Sequence, residues 1–357
     1  MAKLHSRIAI TIGDPAGIGT EIILKSLAIH SFDHGVPSLK EHFTIFGDRR
    51  FLQEAADLLM QQGKACPSLM DLDIVDVAAS DNVLWGKGSE ASGAASFAYL
   101  DAAIAATLEG KFAAIVTAPI AKSAWKLAGH HYAGQTELLA ERSRVQDFGM
   151  LFVARSPHSQ WVMRALLATV HIPLGQVCQC LTPELVERKL NLLRRTLQDT
   201  FAIATPRIAI AGINPHSGEQ GQLGGEEIAW LQPLIDRYRQ QYPHVQISDP
   251  LPPDTMWLPA ARAWQHTEQI HLGYDAYLAM YHDQGLIPVK LLAFDRAVNT
   301  TIGLPFVRTS PDHGTAFDIA GRGIADPSSM LEAINLAIDL VKLRQQSSLP
   351  LRLVEQQ

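Results

Sequence analysis

Three of the 14 histidines lie where an apolar run gives way to turn residues. His171 follows "ALLATV", His216 follows "IAIAGINP", and His282 follows "YLAMY". The spacing of these histidines along the chain fits no zinc finger. A catalytic metal site, however, can bring distant imidazoles together and leave one coordination position open for substrate. A lone histidine at a strand end is more often simply hydrogen-bonded. Spacing alone therefore leaves a three-histidine metal site as one of two interpretations.

A second set consists of cationic and amide side chains beyond His282. Lys290, Arg296 and Arg308 lie near Asn299 in an otherwise polar-poor stretch. Arg308 is predicted to lie at a strand end after "IGLPFV". Lysine and arginine hold phosphate and carboxylate groups well. The alternative for these residues is salt bridges on a solvated face. Lys122, after the apolar "AAIVTAPIA", could likewise face a cleft or lie on the surface.

Two glycine-containing loops could bind anions through backbone N–H groups. "IGDPAGIGTE" surrounds Asp14 with glycines before a helix, but it is neither G-x-G-x-x-G nor a phosphate loop with lysine, so a tight turn is favoured. "SPDHGTAFDIAGRGIADPSSM" could cradle a nucleotide, with a carboxylate for a ribose hydroxyl. A plain connecting loop is the alternative there.

The elements that must position these residues alternate between short β-rich runs and longer helical patterns. Residues 7–12, 43–46, 112–120, 161–173 and 207–216 are predicted strands, and 182–201 is a predicted helix with a Thr182 cap. We also expect Tyr277–Tyr281 to be helix-like and Leu286–Val289 to be strand-like. This alternation predicts an α/β protein with largely parallel sheets, whose strand ends gather ligands.

Composition excludes some classes. With 357 residues, of which 47% are hydrophobic, the chain is expected to form two domains. The net charge of -6 does not provide the excess of positive charge that is typical of nucleic-acid-binding proteins. Three cysteines argue against a disulfide framework, and neither a signal peptide nor an apolar run of ~18 residues is evident. We therefore expect a cytoplasmic protein with no membrane or nucleic-acid partner.

The same stretches, taken in order, resemble a known family. "TIGDPAGIG", "VTAPIAKSAW", "AGQTELLAE", "AGINPHSGEQGQLGGEE", "AMYHDQGLIPVK" and "DHGTAFDIAGRGIADPSSM" look like successive blocks of the 4-hydroxythreonine-4-phosphate dehydrogenases of pyridoxal phosphate biosynthesis. The likeness runs from about residue 7 to residue 340. "HGTAFDIAG" is also similar to the nucleotide loop of isocitrate and isopropylmalate dehydrogenases.

The resemblance implies a fold and a set of site residues. It implies two α/β/α domains around a cleft, one from residues 1–128 plus 300–357 and the other from 129–299. His171, His216 and His282 match the family's metal ligands. The implied substrate residues are Gln135, Thr136, Lys290, Asn299 and Arg308, the cofactor residues are His313, Gly314 and Asp318, and the candidate acids and bases are Lys122, Asp254 and Asp283.

The resemblance also implies a reaction. It is the oxidation and decarboxylation of 4-phosphooxy-L-threonine to 3-amino-2-oxopropyl phosphate, with NAD or NADP and one divalent ion (Zn, Mg, Co or Mn). The family also implies a homodimer with the active site at the subunit interface. The family places a histidine before Thr136 and a glycine at position 249, whereas this chain has Gln135 and Asp249. Glutamine carries no positive charge. A phosphorylated four-carbon sugar acid, threonate or erythronate 4-phosphate, therefore stays open as an alternative substrate.

Overall fold

The structure is a computed structural model that describes residues 7–34, 38–79 and 82–346. The chain divides into two compact units, unit 1 from residues up to Gln146 together with Leu304–Gln346, and unit 2 from Asp147–Gly303. Residues 129–146, which the sequence boundaries assign to the second domain, pack in unit 1. They do so because Leu138 and Leu139 join a buried cluster with Ile104 and Trp125.

Unit 1 contains a parallel sheet with the strand order β3-β2-β1-β4-β11. Its central strands are short, fully buried and apolar, as expected for parallel strands covered on both faces. The strands are β1 Ile8–Thr11, β2 Phe43–Gly47, β3 Asp73–Asp76, β4 Ala114–Thr117 and β11 Val307–Pro311.

Helices connect and flank these strands. They are α1 Gly19–His34, α2 Leu39–His42, α3 Arg49–Gln61, α4 Glu90–Leu108, α5 Lys122–Leu127, α6 Gln135–Arg142 and α12 Ser328–Gln346. α4 is long and apolar enough to cross a membrane by length and composition, but half of that window is buried. It packs against β1, β2 and β4, so it serves as a core helix of unit 1.

Unit 2 contains a mixed sheet with the strand order β10-β5-β6-β9-β7-β8. β5 pairs antiparallel with both β10 and β6, and the other pairs are parallel. The strands are β5 Gly149–Arg155, β6 Val162–Leu167, β7 Arg207–Ala211, β8 Gln246–Leu251, β9 Ala276–Ala279 and β10 Val298–Ile302. The α/β prediction is confirmed, with these antiparallel pairs as the exception to parallel pairing.

The helices of unit 2 are α7 Leu174–Cys180, α8 Pro183–Asp199, α9 Gln232–Gln241, α10 Leu258–Gln265 and α11 His282–Ala293. The prediction around His282 is wrong in type, because a strand precedes it and a helix follows it. β9 is a four-residue, fully buried run whose periodicity cannot distinguish strand from helix. α11 accommodates Pro288 in its interior, where the ring removes one backbone hydrogen bond.

Candidate active site

The three histidines of interest follow the ends of neighbouring strands in unit 2, in the order β6-β9-β7. Backbone hydrogen bonds extend the pairing of β6 and β9 beyond the strands, from Ala168 N–H to Ala279 O and from Thr169 N–H to Met280 O. The Thr169 hydroxyl donates a second bond of 2.8 Å to Met280 O. The segments leading to His171 and His282 are therefore fixed to each other.

Gln284 ties the end of β9 to the end of β7. Its Oε1 accepts a 2.6 Å hydrogen bond from Met280 N–H, and its Nε2 donates a 2.8 Å bond to Gly212 O. The side chain is buried, so both bonds are made away from water. Sequence reasoning assigned Gln284 no role, although the residue stands inside the "HDQG" stretch. Its bonds link the segment that carries His216 to the segment that carries His282.

Two of the three imidazoles come together. The ring centroids of His171 and His282 lie 5.6 Å apart. His282 Nδ1 lies 2.8 Å from a carboxylate oxygen of Asp283, which favours a proton on Nδ1 and leaves Nε2 as the lone-pair donor. Asp283, predicted as a candidate acid or base, is thus engaged in orienting the neighbouring imidazole.

His216 lies in an unusual turn, Pro215–Gly221, five residues beyond Ala211 at the end of β7. Four non-glycine residues in it have positive φ, from 42° to 57°: His216, Ser217, Glu219 and Gln220. A left-handed backbone costs roughly 1–2 kcal/mol per non-glycine residue. Such strain persists only where surrounding contacts enforce it, and it concentrates at functional sites.

The donor set of unit 2 suits a divalent ion in its chemistry. His171 and His216 are exposed, His282 is partly exposed, and all three follow adjacent strand ends. Imidazoles so placed can coordinate zinc-like metals. Across residues 7–34, 38–79 and 82–346, however, no group of three or more His, Cys, Asp or Glu side chains is arranged to hold a metal. The structure brings His171 and His282 together but does not place His216 with them as a third ligand.

Unit 1 contains a buried cation. Arg308 is the second residue of β11 rather than a strand-end residue, and only 3% of it is exposed. Its guanidinium donates a 2.8 Å hydrogen bond to the Thr117 hydroxyl at the end of β4, the neighbouring strand. Burial lowers the pKa of Arg308 to about 10, which still leaves it charged at neutral pH. The cost of desolvating this charge makes the position suited to an anionic ligand.

The start of α6 gathers further predicted residues of unit 1. A Cβ built on Gly134 would lie 3.8 Å from Lys122 Nζ, so the ammonium approaches the turn that begins α6. Thr136 is buried in the first turn, and the start of a helix favours anions. Gln135 Nε2 donates to Ala118 O at 3.1 Å, and its buried Oε1 accepts no hydrogen bond from the described residues.

His130, which stands near Gln135 in the sequence, differs from it in role. The His130 ring stacks on Phe97 with centroids 3.6 Å apart, and burial lowers its pKa. His130 is thus committed to aromatic packing against α4. The residue that stands in the usual histidine position remains Gln135, which carries no charge.

The predicted cofactor residues lie on one loop of unit 1, where His313, Gly314 and Asp318 are exposed. His313 Nδ1 lies 2.9 Å from Gly314 O. The far end of the loop is anchored to α1, because Lys25 donates to Gly323 O at 2.8 Å and to Ala325 O at 2.7 Å. The buried Glu21 carboxylate pairs with Lys25 at 2.6 Å and accepts the Ala325 N–H at 2.7 Å. Sequence reasoning missed this pair, whose i, i+4 spacing on α1 was the available signal.

The glycine-containing turn after β1 contacts this loop. Ile18 N–H donates to Thr315 O, and a Cβ on Gly17 would lie 2.9 Å from the same oxygen. Asp14 within the turn is buried and accepts bonds from Ala16 N–H and the Ser92 hydroxyl. Burial raises the pKa of Asp14, an effect that these two hydrogen bonds partly oppose. This arrangement favours the tight-turn interpretation of "GDPAGIG" over an anion site.

The remaining predicted residues are spread through unit 2. Lys290 lies on α11 with its ammonium 5.2 Å from the centroid of Phe294, and Asn299 lies in β10 opposite Phe152. Asp254 is exposed in the turn before α10. Asp249 in β8 forms a 2.8 Å ion pair with Arg239, and hydrogen bonds from Arg239 and Gln232 lower its pKa. Asp249 is therefore engaged by Arg239 and Gln232.

Known structures share this fold over nearly the whole chain. A 4-hydroxythreonine-4-phosphate dehydrogenase from Klebsiella pneumoniae is 36% identical, covers 94% of this chain and 99% of its own, and superposes with a TM-score of 0.77. A beta-decarboxylating dehydrogenase from Thermococcus kodakarensis is 15% identical, with 95% of this chain and 85% of its own covered and a TM-score of 0.51. The second likeness concerns the fold alone, and it agrees with the predicted dehydrogenase-like fold.

Sequence relatives agree with the structural ones. A 4-hydroxythreonine-4-phosphate dehydrogenase from Nostoc sp. (strain PCC 7120 / SAG 25.82 / UTEX 2576) is 57% identical over 346 residues, which cover 95% of this chain and 94% of the relative. The family model described as "Pyridoxal phosphate biosynthetic protein PdxA" matches residues 39–337. The chain therefore belongs to the PdxA family of pyridoxal phosphate biosynthetic proteins.

Proposed function

We propose that this chain is an NAD(P)- and divalent-metal-dependent 4-hydroxythreonine-4-phosphate dehydrogenase of pyridoxine 5'-phosphate biosynthesis. It oxidises 4-phosphooxy-L-threonine and decarboxylates the product to 3-amino-2-oxopropyl phosphate. The structural observation that carries the proposal is the buried Arg308 guanidinium beside Thr117 in unit 1. A buried cation of this kind suits a substrate that is held by a strongly anionic group.

The anion-binding residues come first in the proposed mechanism. Arg308 binds the phosphate, and the N–H groups and Thr136 hydroxyl at the start of α6 add donors. Lys122 brings a second positive charge to the same turn. Lys290 and Asn299 are the candidate cation and amide for the other polar groups of the substrate. Because phosphate takes no part in the chemistry, this binding energy serves to position C3.

A bound nicotinamide would accept a hydride from C3, and the C3 hydroxyl proton would pass to a base. A divalent ion held by the imidazoles of His171, His216 and His282 would polarise the oxygen at C3 and stabilise the charge that develops there on loss of CO2. Asp283 holds the His282 ring by its Nδ1. A proton then returns to the carbon that lost CO2, and Lys122 and Asp254 are the candidates for these two proton transfers.

The cofactor is proposed to lie on the loop that carries His313, Gly314 and Asp318. Backbone N–H groups of this loop would hold the phosphates, and the Asp318 carboxylate would accept a ribose hydroxyl. The anchors from Lys25 and Glu21 at the far end of the loop support this role, because they fix the backbone before any ligand binds.

A homodimer is part of the proposal. α11 presents three large apolar side chains at i, i+4 and i+7, namely Ile287, Leu291 and Phe294, which are 58%, 81% and 76% exposed. A second copy of the chain would cover this stripe, as expected for an unusually exposed apolar face. Sedimentation velocity of Leu291→Glu should show monomers where the unmodified protein shows dimers. We further propose a cytoplasmic location, in keeping with the sparse cysteines.

Absorbance of NADH at steady state tests the function. The protein should reduce NAD with 4-phosphooxy-L-threonine, lose turnover when a chelator removes the ion, and regain it on addition of Zn²⁺, Co²⁺, Mg²⁺ or Mn²⁺. Turnover that persists in the chelated enzyme would refute the metal role. A higher kcat/KM with threonate or erythronate 4-phosphate would instead establish the sugar acid as the substrate.

A further inference from the structure

One buried carboxylate, that of Glu227, holds the two residues that lead into the left-handed turn of His216. Glu227 Oε1 accepts hydrogen bonds of 2.8 Å from both Ile213 N–H and Asn214 N–H. Its Oε2 accepts a 2.9 Å bond from the Asn214 side-chain amide. Only 4% of Glu227 is exposed, so these three donors bind it out of contact with water.

Asn214 is the residue through which this carboxylate acts on the turn. Besides Glu227, its amide donates a 2.8 Å bond to Glu226, and its backbone oxygen accepts the Ser217 N–H. Asn214 directly precedes the left-handed turn, so its orientation sets the direction in which His216 leaves β7. We name Asn214, Glu226 and Glu227 the Asn214 clamp.

Two glycines lie so close to this clamp that a side chain at either position would clash with it. A Cβ on Gly224 would lie 2.3 Å from the Asn214 amide, and one on Gly218 would lie 2.8 Å from Glu227 Oε2. No side chain could occupy either place without displacing the clamp. Glu227 also begins a short π-helix, Glu227–Leu231, and such irregular turns are frequent at functional sites.

We propose that Glu227 is a positioning residue that fixes, through Asn214, the backbone of the turn from which the His216 side chain would join the divalent ion. The inference rests on the proposed metal role of His216. A strained turn would relax towards ordinary backbone angles once its hydrogen bonds were lost. His216 would then be a mobile side chain rather than a fixed donor, and the ion would bind more weakly.

A double-mutant cycle on cobalt binding tests the proposal. Affinity for Co²⁺ is measured by calorimetry, without substrate or NAD, for the unmodified protein, His216→Ala, Glu227→Gln and the double variant. We expect Glu227→Gln alone to weaken binding about 10- to 100-fold, the range for partners that orient a ligand. In the His216→Ala background it should cause no further loss, because the residue that it positions is already absent.

The outcomes separate two kinds of failure. If Glu227→Gln weakens Co²⁺ binding equally in both backgrounds, or not at all, the positioning role is refuted and the metal site stands. If His216→Ala leaves Co²⁺ affinity unchanged, the metal role of His216 is refuted, and this inference with it. Glu184→Gln, an exposed glutamate at the start of α8, is the matched control and should bind Co²⁺ normally.

A polarity swap supplies the rescue. In Asn214→Asp combined with Glu226→Gln and Glu227→Gln, both clamp bonds can re-form with donors and acceptors exchanged, while the amide oxygen introduced by Glu227→Gln still accepts the two backbone N–H groups. Co²⁺ affinity should recover most of what Glu227→Gln alone loses. Hydrogen exchange at residues 213–222 of the metal-free protein should follow the same order. Failure of the swap to restore both would contradict positioning through Asn214.

Discussion

The candidate residues of unit 1 and unit 2 are positioned in opposite ways. In unit 1 the guanidinium of Arg308 is buried in a parallel sheet and bonded to the adjacent strand. In unit 2 His171 and His216 are exposed on turns beyond the strands. Arg308 is fixed by burial and by its bond to the adjacent strand. The exposed histidines depend instead on hydrogen bonds that neighbouring side chains make.

This difference predicts which ligand affinity a substitution should change in each unit. The desolvation of Arg308 is a fixed cost that an anionic ligand offsets, so the folded unit is already prepared to bind. Gln284 and the Asn214 clamp fix the segments that carry the imidazoles, and in the proposed function a divalent ion would complete the arrangement. Substitutions in unit 1 should thus alter anion and nucleotide affinity, whereas substitutions around the histidines should alter metal affinity.

The largest expected effect is that of Arg308→Met. Loss of a charge-assisted pair of hydrogen bonds to phosphate should remove about 3 kcal/mol of binding, or roughly 100-fold in kcat/KM. Thermal stability should fall by less than kcat/KM does, because the apolar side chain removes the desolvation cost of the buried charge while the Thr117 hydroxyl loses its donor. Steady-state kinetics with 4-phosphooxy-L-threonine and a thermal melt measure the two effects.

Arg142→Met is the control for this substitution. Arg142 forms a partly exposed ion pair with Asp101, and such pairs contribute little. Its kcat/KM should therefore match that of the unmodified protein. If Arg308→Met loses stability in proportion to its activity, Arg308 is a structural residue and the contrast with unit 2 breaks down.

A smaller effect is expected from Lys25→Met, which removes two bonds to the far end of the loop that we propose binds the cofactor. Hydrogen bonds from charged donors contribute about 1.5–3 kcal/mol each, mostly to the stability of the loop, so we expect NAD affinity to fall about 10-fold. Co²⁺ affinity in unit 2 should not change. Fluorescence titration with NADH measures the first and calorimetry the second.

Lys111→Met, which removes an exposed pair with Glu109, is the matched control for the loop substitution. It should leave NADH affinity intact. Equal weakening by both substitutions would mean that total charge, rather than the anchoring of the loop, governs binding. A parallel loss of Co²⁺ affinity in Lys25→Met would contradict the separation of roles between the two units.

Sequence periodicity predicted β1, β2 and β4 of unit 1 because these are short apolar runs bounded by turn residues. It did not predict β3, which is partly exposed and has an aspartate at each end. It exchanged the types of β9 and α11, since a fully buried four-residue run has no distinguishing period. Gln284 and Glu227 could not be assigned from the sequence. Their partners, Gly212 and Asn214, lie 72 and 13 residues away, and only the folded chain shows which polar groups meet.

The smallest expected effect is that of a substitution at Asp14. It tests how strongly burial affects the charged groups of unit 1. Burial raises the pKa of Asp14 above its value in the unfolded chain, about 3.9. Below that value the carboxyl is protonated in both states and no penalty arises. As pH rises, the unfolded chain ionises first, so the folded state loses stability until the pH has passed the folded pKa, and the penalty then stays constant.

Asp14→Asn should remove this pH dependence while keeping the hydrogen bonds. The amide oxygen can still accept from Ala16 N–H, and the amide nitrogen can donate to Ser92 Oγ. In urea titrations, the free energy of unfolding of the variant should gain on that of the unmodified protein as pH rises from about 4 to about 7. The exposed Asp71→Asn should show no such trend. A gap that stays constant with pH would mean that Asp14 is solvated, and that burial governs less of unit 1 than Arg308 suggests.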